Sequence, residues 1–103
     1  MKQVIDRKLY DTETAEQIAQ HAPLTDRGDF HYLTETLYKL SDGEYFLHGE
    51  GGAATKWAEK ISNERTPGEE IQRLTDEEAL DWCEDRAIDG AIVVEEFDHL
   101  IKT

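Results

Sequence analysis

The dipeptide Asp42-Gly43 constrains the fold more than any other feature of this sequence, because it separates two runs that are rich in β-forming residues. The first run covers residues 30–40 and the second covers residues 45–48. Asp-Gly between two such runs favours a two-residue hairpin turn, in which both central residues have positive φ. We therefore predict an antiparallel hairpin with the facing pairs Leu40 with Tyr45, Tyr38 with Leu47, and Leu37 with His48.

Side chains alternate between the two faces of a strand, so this register also predicts which residues share a face. It places Glu35 and Glu50 close to each other across the hairpin. The face that we expect to point toward the core consists of Thr36, Tyr38, Leu40, Tyr45 and Leu47.

Two segments show strong helical patterns. Apolar residues repeat at helical spacing over residues 13–22, and Pro23 would end that helix. Thr75 and Glu78 have the spacing of a capping box, and apolar residues follow at helical spacing, which predicts a helix over residues 76–87. Asp89-Gly90 would end this second helix.

Weaker patterns complete the predicted architecture. They indicate a short strand pair or kinked strand over residues 2–10, a brief helix over 55–62, a strand over 71–74 and a terminal helix over 92–101. We predict an α+β fold, with a small antiparallel sheet that is built on the central β-hairpin and packed by three to four short helices. A chain of 103 residues can bury one modest core, so we expect a single domain over residues 1–103.

The charge of the chain restricts its partners. It has 11 basic and 24 acidic side chains and a formal net charge of −13 at pH 7. Such a surface repels phosphate backbones and anionic lipid headgroups, so we expect no direct binding of nucleic acid and no membrane association. The imbalance is greatest in residues 64–103, which hold four basic and thirteen acidic side chains, a net charge of −9.

The expected compartment is the cytoplasm. Cys83 is the single cysteine, which can form no internal disulfide and fits a reducing environment. No apolar stretch approaches the roughly 18 residues that cross a membrane, and residues 1–6 lack the apolar segment of a signal peptide.

Several motifs resemble cofactor-binding or catalytic sites but lack the structural context that such sites require. Gly49-x-Gly51-x-x-Ala54 has the spacing of a dinucleotide-binding turn, but it follows the return strand of an antiparallel hairpin and not a parallel strand. His48 with Glu50 and Glu35 could form an acid/base pair across the hairpin. The histidines lack metal-binding spacing and Cys83 lies on an apolar helix stripe, so we expect no metal or cofactor and no catalytic residue.

The acidic residues of the C-terminal part are the best candidate for a functional surface. Like charges at i and i+3 or i+4 reduce helix stability, and a solvated face or a halophilic host would also account for them. The functional reading is that these carboxylates meet a basic protein groove in place of nucleic-acid phosphates. The candidate partner-binding residues are Asp76, Glu77, Glu78, Asp81, Glu84, Asp85, Glu95 and Glu96, with Glu35, Glu44 and Glu50 as a second candidate surface.

Of these, Glu95 and Glu96 lie in the predicted terminal helix, and the other six partner-binding candidates lie in the helix predicted over residues 76–87.

Four blocks of the sequence resemble a family of small uncharacterised proteins that phages and integrative elements carry. The similarity covers most of the chain, and its most specific part is the block Gly-Glu-Tyr-Phe-Leu-His-Gly-Glu-Gly-Gly at residues 43–52. The chain departs from that pattern with Ala53-Ala54 in place of Pro and a larger apolar residue, and with a longer, more apolar C-terminal segment. The other blocks are residues 10–15, residues 29–32 with 35–38, and residues 75–82.

The resemblance implies a setting and not a mechanism. Small acidic proteins of mobile elements often block host defences, and they include anti-CRISPR and anti-restriction inhibitors that occupy nucleic-acid grooves. The family brings no known active site, so no catalytic residue is transferred to this chain.

Three functional hypotheses follow. The leading one is a mobile-element-encoded binding protein, not an enzyme, that inhibits a host nucleic-acid-binding defence complex such as a CRISPR-Cas effector through its acidic surface. The second is a small ligand-binding protein or enzyme that uses the turn at Gly49–Gly52. The third is a regulatory protein-interaction module without nucleic-acid mimicry.

Overall fold

A computed structural model of the chain describes residues 1–102. Within these residues there are eight strands, two α-helices and a short 3-10 helix over Asp98–Leu100. The elements are β1 (Lys2–Ile5), β2 (Lys8–Asp11), β3 (Glu16–Leu24), β4 (Leu33–Lys39), β5 (Tyr45–Gly51), β6 (Glu59–Ile61), β7 (Glu64–Thr66), β8 (Gly68–Leu74), α1 (Asp76–Asp85) and α2 (Gly90–Phe97).

A four-stranded antiparallel sheet in the order β3-β4-β5-β8 forms the centre of the fold. The strand pairs β1-β2 and β6-β7 form two further small hairpins. The helices pack on one face of the central sheet, and the β1-β2 hairpin packs on the other. The predicted α+β class with an antiparallel sheet is confirmed, but the described residues contain two α-helices where we predicted three to four helices.

The central hairpin forms as predicted, but its register differs by one residue. Thr36 faces His48 and Leu37 faces Leu47. The turn is a three-residue loop, because Gly43 donates to the carbonyl of Leu40 at 2.9 Å and Leu40 donates to the carbonyl of Glu44 at 2.8 Å. Gly43 has a φ of 95°, and Asp42 is not among the residues with positive φ, so the turn is not the predicted two-residue type.

This shift changes which side chains share a face. Tyr45 and Leu47 lie in the core on the helix side, where Leu37 joins them. Tyr38 packs on the opposite face, against the β1-β2 hairpin. The predicted face that combined Thr36, Tyr38 and Leu40 with Tyr45 and Leu47 is therefore wrong, since a one-residue slip moves one strand's side chains to the other face.

The helix predicted over residues 13–22 is wrong, because residues 16–22 belong to the edge strand β3 and residues 13–15 form the turn before it. A register irregularity lies between Gln17 and Ala19. It lets the adjacent residues Ile18 and Ala19 both contact the helix-side core, which produces a spacing that resembles a helical stripe. Pro23 lies in a second irregularity of this edge strand, where a missing backbone N–H is tolerated.

The segment between β5 and β8 also differs from its prediction. Residues 55–62 contain turns and β6 where we predicted a brief helix. Strand β5 continues through Gly51, beyond the β-rich run at residues 45–48 from which we predicted it. The strand predicted over residues 71–74 is confirmed as part of β8, and the strand pair predicted over residues 2–10 is confirmed as β1-β2.

Both C-terminal helices are confirmed, with different ends. The Thr75 side chain accepts from the backbone N–H of Glu78 at 3.1 Å, and the Glu78 carboxylate accepts from the backbone N–H of Thr75 at 2.8 Å, which completes the capping box. Helix α1 ends at Asp85, and Ala87 follows with a φ of 51°. Gly90 begins α2 and does not end α1, because the Asp89 side chain caps the second helix.

Two apolar clusters hold the layers together. The smaller one joins the β1-β2 hairpin to the sheet through Tyr10, Phe46 and Ile71. The larger one lies between the sheet and the helices and consists of Ala19, Leu37, Tyr45, Leu47, Trp57, Ala79, Trp82, Cys83 and Phe97.

Candidate functional site

Helix α1 has one buried side and one acidic side. Ala79, Trp82 and Cys83 are buried against the sheet. The opposite side carries a row of four exposed carboxylates that we call the acidic row, which consists of Glu77, Asp81, Glu84 and Asp85. Within residues 1–102 these four side chains form no hydrogen bond and no salt bridge.

Helix stability explains only the first part of the acidic row. Carboxylates in the first turn interact favourably with the positive end of the helix dipole, as Glu77 does. Glu84 and Asp85 lie at the negative end, and the last turn holds no basic residue. Asp81 and Asp85 are also four residues apart, a spacing at which like charges reduce helix stability.

The other predicted partner-binding residues differ from one another in exposure and in their hydrogen-bond partners. Glu78 belongs to the capping box, and Asp76 lies 3.7 Å from His99. Glu95 is exposed on α2. Glu96 is mostly buried and accepts hydrogen bonds from Lys39, at 2.8 Å, and from Tyr45, so it is not an accessible carboxylate as we predicted.

Glu35, which we assigned to a second acidic surface, is instead fully buried under α1. One carboxylate oxygen accepts from Trp82 Nε1 at 3.0 Å and from Arg86 Nε at 2.7 Å. The other accepts from Trp57 Nε1 at 2.8 Å and from Arg86 Nη2 at 3.4 Å. This network joins β4, α1 and the segment after β5, and it leaves Glu35 no atom for a partner.

Burial by itself would raise the pKa of Glu35, but the hydrogen bonds from Arg86, Trp82 and Trp57 outweigh it and lower the pKa below its ordinary value of 4.5. Burial of Cys83 raises the pKa of its thiol to about 11. A thiol that is buried and protonated is unreactive, which agrees with the predicted role of Cys83 as a small apolar residue.

Glu44 and Glu50 also do not form a surface with Glu35. Glu44 accepts from Lys8 at 2.9 Å and from Tyr10, beside the β1-β2 hairpin. Glu50 lies opposite Thr34 in the sheet and Glu35 lies opposite Gly49, so their side chains occupy opposite faces. The fold therefore does not allow the acid/base pair of His48 with Glu50 and Glu35 that the sequence offered as a possibility.

His48 and Glu50 have a different acidic neighbour. Both lie on the sheet face opposite the helices, together with Glu69 of β8. His48 Nε2 is 2.7 Å from a carboxylate oxygen of Glu69. Sequence reasoning did not select Glu69; the alternation of His48 and Glu50 along one strand was a signal for a shared face, but the partner strand could not be aligned before the register was known.

The glycines of residues 49–52 are required by the protein's own packing. A Cβ atom on Gly49 would lie 2.0 Å from the indole of Trp57, and one on Gly51 would lie 2.2 Å from Thr55 Oγ1. One on Gly52 would lie 2.5 Å from the carbonyl oxygen of Phe30. Side chains and backbone of the chain fill the space that a bound phosphate would need, so this segment does not form a dinucleotide-binding turn.

Comparison with models of known protein families, with curated proteins and with solved structures finds no match for this chain. The resemblance to a family of mobile-element proteins therefore stays a prediction. No helix within residues 1–102 has the length and apolar character that crossing a membrane requires.

Proposed function

We propose that this chain is a mobile-element-encoded binding protein that inhibits a host nucleic-acid-binding defence complex, with a CRISPR-Cas effector as the first candidate. The acidic row of α1 enters the basic groove where the complex holds nucleic acid. The observation that carries this proposal is the row of four exposed carboxylates, which have no partner among residues 1–102 and two of which lie at the helix end that disfavours negative charge.

The spacing of the acidic row supports a mimic of phosphates. At a rise of about 1.5 Å per residue, the row from Glu77 to Asp85 is about 12 Å long. Four charges over that length correspond to about 4 Å of helix axis per charge, close to the roughly 3.4 Å of DNA helix axis per phosphate of one strand. A groove whose lysines and arginines are arranged for phosphates therefore meets a similar density of negative charge.

A surface cavity at the start of α1 supports contact with basic side chains. Its volume is about 780 Å³, and its lining holds one basic residue, Arg73, and four acidic residues, namely Glu44, Asp76, Glu77 and Glu78. A lysine or arginine of the partner fits such a lining. The net charge of −13 would add long-range attraction, which increases the rate of association with a basic surface.

The test uses two charge-reversal variants with the same net charge. In the first, Glu77, Asp81, Glu84 and Asp85 are replaced by Lys. In the matched control, the replaced residues are Glu13, Glu59, Glu64 and Glu70, which are exposed and lie outside the two α-helices.

A pulldown from the host identifies the partner, and binding is then measured at low and high salt, with circular dichroism to confirm folding. We expect the α1 variant to lose binding and the control to retain most of it, because steering depends on total charge but docking depends on the position of the carboxylates. Equal affinities of the two folded variants would contradict the role of the acidic row.

A competition experiment separates mimicry from an interaction module without mimicry. If the acidic row occupies the nucleic-acid groove, an excess of the partner's own DNA or RNA displaces the chain. Simultaneous binding of chain and nucleic acid would contradict mimicry and favour the regulatory module.

A further inference from the structure

We propose that His48, Glu50 and Glu69 form a binding site for a divalent first-row transition metal ion, with Zn²⁺ as the probe. Each of the three residues offers one ligand atom, and these atoms all lie within 4.8 Å of one another. This proposal replaces our sequence-based expectation that the chain has no metal site. It is independent of the proposed function, because the three residues lie on the sheet face opposite α1.

The sheet register brings the three ligands together. His48 and Glu50 are two residues apart on β5 and share a face, and Glu69 of β8 lies directly opposite Glu50. Like charges directly opposite each other on neighbouring strands reduce sheet stability. A divalent cation between the two carboxylates would convert this repulsion into attraction.

Glu50 is held in place for such a role. Its Oε1 atom accepts hydrogen bonds from Tyr32 and, at 2.9 Å, from Arg27 Nη2. Its Oε2 atom has no hydrogen-bond donor within residues 1–102. One oxygen is thus oriented by neighbouring side chains and the other is free to bind a cation, the arrangement in which protein carboxylates commonly bind metals.

The donor set and its accessibility limit the kind of ion. One imidazole nitrogen and two carboxylate oxygens suit Zn²⁺ and similar divalent ions, and three protein ligands leave a coordination position for water. The side chains of His48 and Glu50 are only 16% and 17% exposed, and Glu69 at 46% provides access. A surface cavity of about 400 Å³ extends beside Glu50 and Glu69.

Isothermal titration of the chelator-treated full chain with Zn²⁺ tests the proposal. We expect one saturable site in the native protein. His48→Gln and Glu69→Gln each remove one ligand and should weaken Zn²⁺ binding by about tenfold or more. Glu70→Gln and His99→Gln are the matched controls, because Glu70 follows Glu69 on the opposite face of β8 and His99 lies beyond α2, and both should bind as the native chain does.

NMR spectra of the imidazole groups identify the ligand without any substitution. We expect Zn²⁺ to shift the signals of His48 and to leave those of His21, His31 and His99 unchanged. Absence of saturable binding up to about 1 mM Zn²⁺ would overturn the proposal, as would unchanged affinity in folded His48→Gln and Glu69→Gln variants. Neither result would affect binding of a partner by the acidic row.

Discussion

Glu35 and the acidic row lie on opposite sides of helix α1 and have opposite surroundings. Glu35 is fully buried, and both of its oxygens accept hydrogen bonds from indole and guanidinium groups. The four carboxylates of the acidic row are exposed and have no such partner within the described residues. Arg86, the basic residue next to the row in sequence, is held by Glu35.

This contrast separates carboxylates that the fold uses from carboxylates that it does not use. A buried charge persists in a protein only when its neighbours compensate for lost solvation, and the Glu35 network does this. The last turn of the helix holds no basic residue that would compensate Glu84 and Asp85 at its negative end. We infer that Glu35 serves folding and that the acidic row serves binding, and three predictions test this division.

The largest expected effect is on stability when Glu35 is replaced by Ala. The substitution leaves Arg86 and the indole N–H groups of Trp57 and Trp82 without their acceptor. Breaking a buried ion pair from one side costs about 3–5 kcal/mol, and we expect the free energy of unfolding in urea to fall by that amount. The exposed neighbour control Glu70→Ala should change it by less than about 0.5 kcal/mol. A loss below about 1 kcal/mol for Glu35→Ala would mean that the network is not essential to the fold.

A smaller effect is expected on the dependence of stability on pH. Because the pKa of Glu35 in the folded state lies below 4.5, the unfolded chain binds a proton at this residue more readily than the folded chain does. The contribution of Glu35 is therefore present above pH 4.5 and is lost as the pH falls through the folded-state pKa. Between pH 7 and pH 3 the free energy of unfolding should fall more steeply in the native protein than in Glu35→Gln, and parallel curves would contradict this.

The smallest expected effects come from single charge reversals in the acidic row. Asp85→Lys places a favourable charge at the end of α1 and removes repulsion from Asp81, so we expect the free energy of unfolding to rise by about 0.3–1 kcal/mol. Glu77→Lys places a positive charge in the first turn, at the positive end of the helix dipole, and should lower the free energy of unfolding by a similar amount. Urea unfolding at low salt measures both. A loss of stability in Asp85→Lys would mean that this carboxylate has a structural role.

The predictions agreed with the structure where the signal came from residues close together in the sequence. The capping box of Thr75 and Glu78 identified the start of α1 because both partners lie within one helical turn. The segment over residues 13–22, which we predicted as a helix, shows the opposite case. Its adjacent apolar residues fit a strand only because of a bulge, and that bulge exists only when β3 pairs with β4.

The candidate sites differ in the same way. The acidic row is visible in the sequence, because residues at i, i+4 and i+7 of a helix must share a side. The separation of Glu35 from Glu50 depended on a one-residue difference in the hairpin loop that Asp42-Gly43 alone did not decide. The approach of Glu69 to His48 depended on the register between β5 and β8, two strands that are distant in sequence.

The sequence by itself determined the charge of this protein, the central hairpin and the position of α1, because composition, turn chemistry and helix capping act between residues close in the chain. Only the tertiary structure decided that Glu35 is buried beneath Trp57, Trp82 and Arg86, and which carboxylates remain for a partner or a metal ion. The physical reason is that the free energy of a carboxylate depends on the groups around it in space, and strands and helices distant in sequence supply those groups.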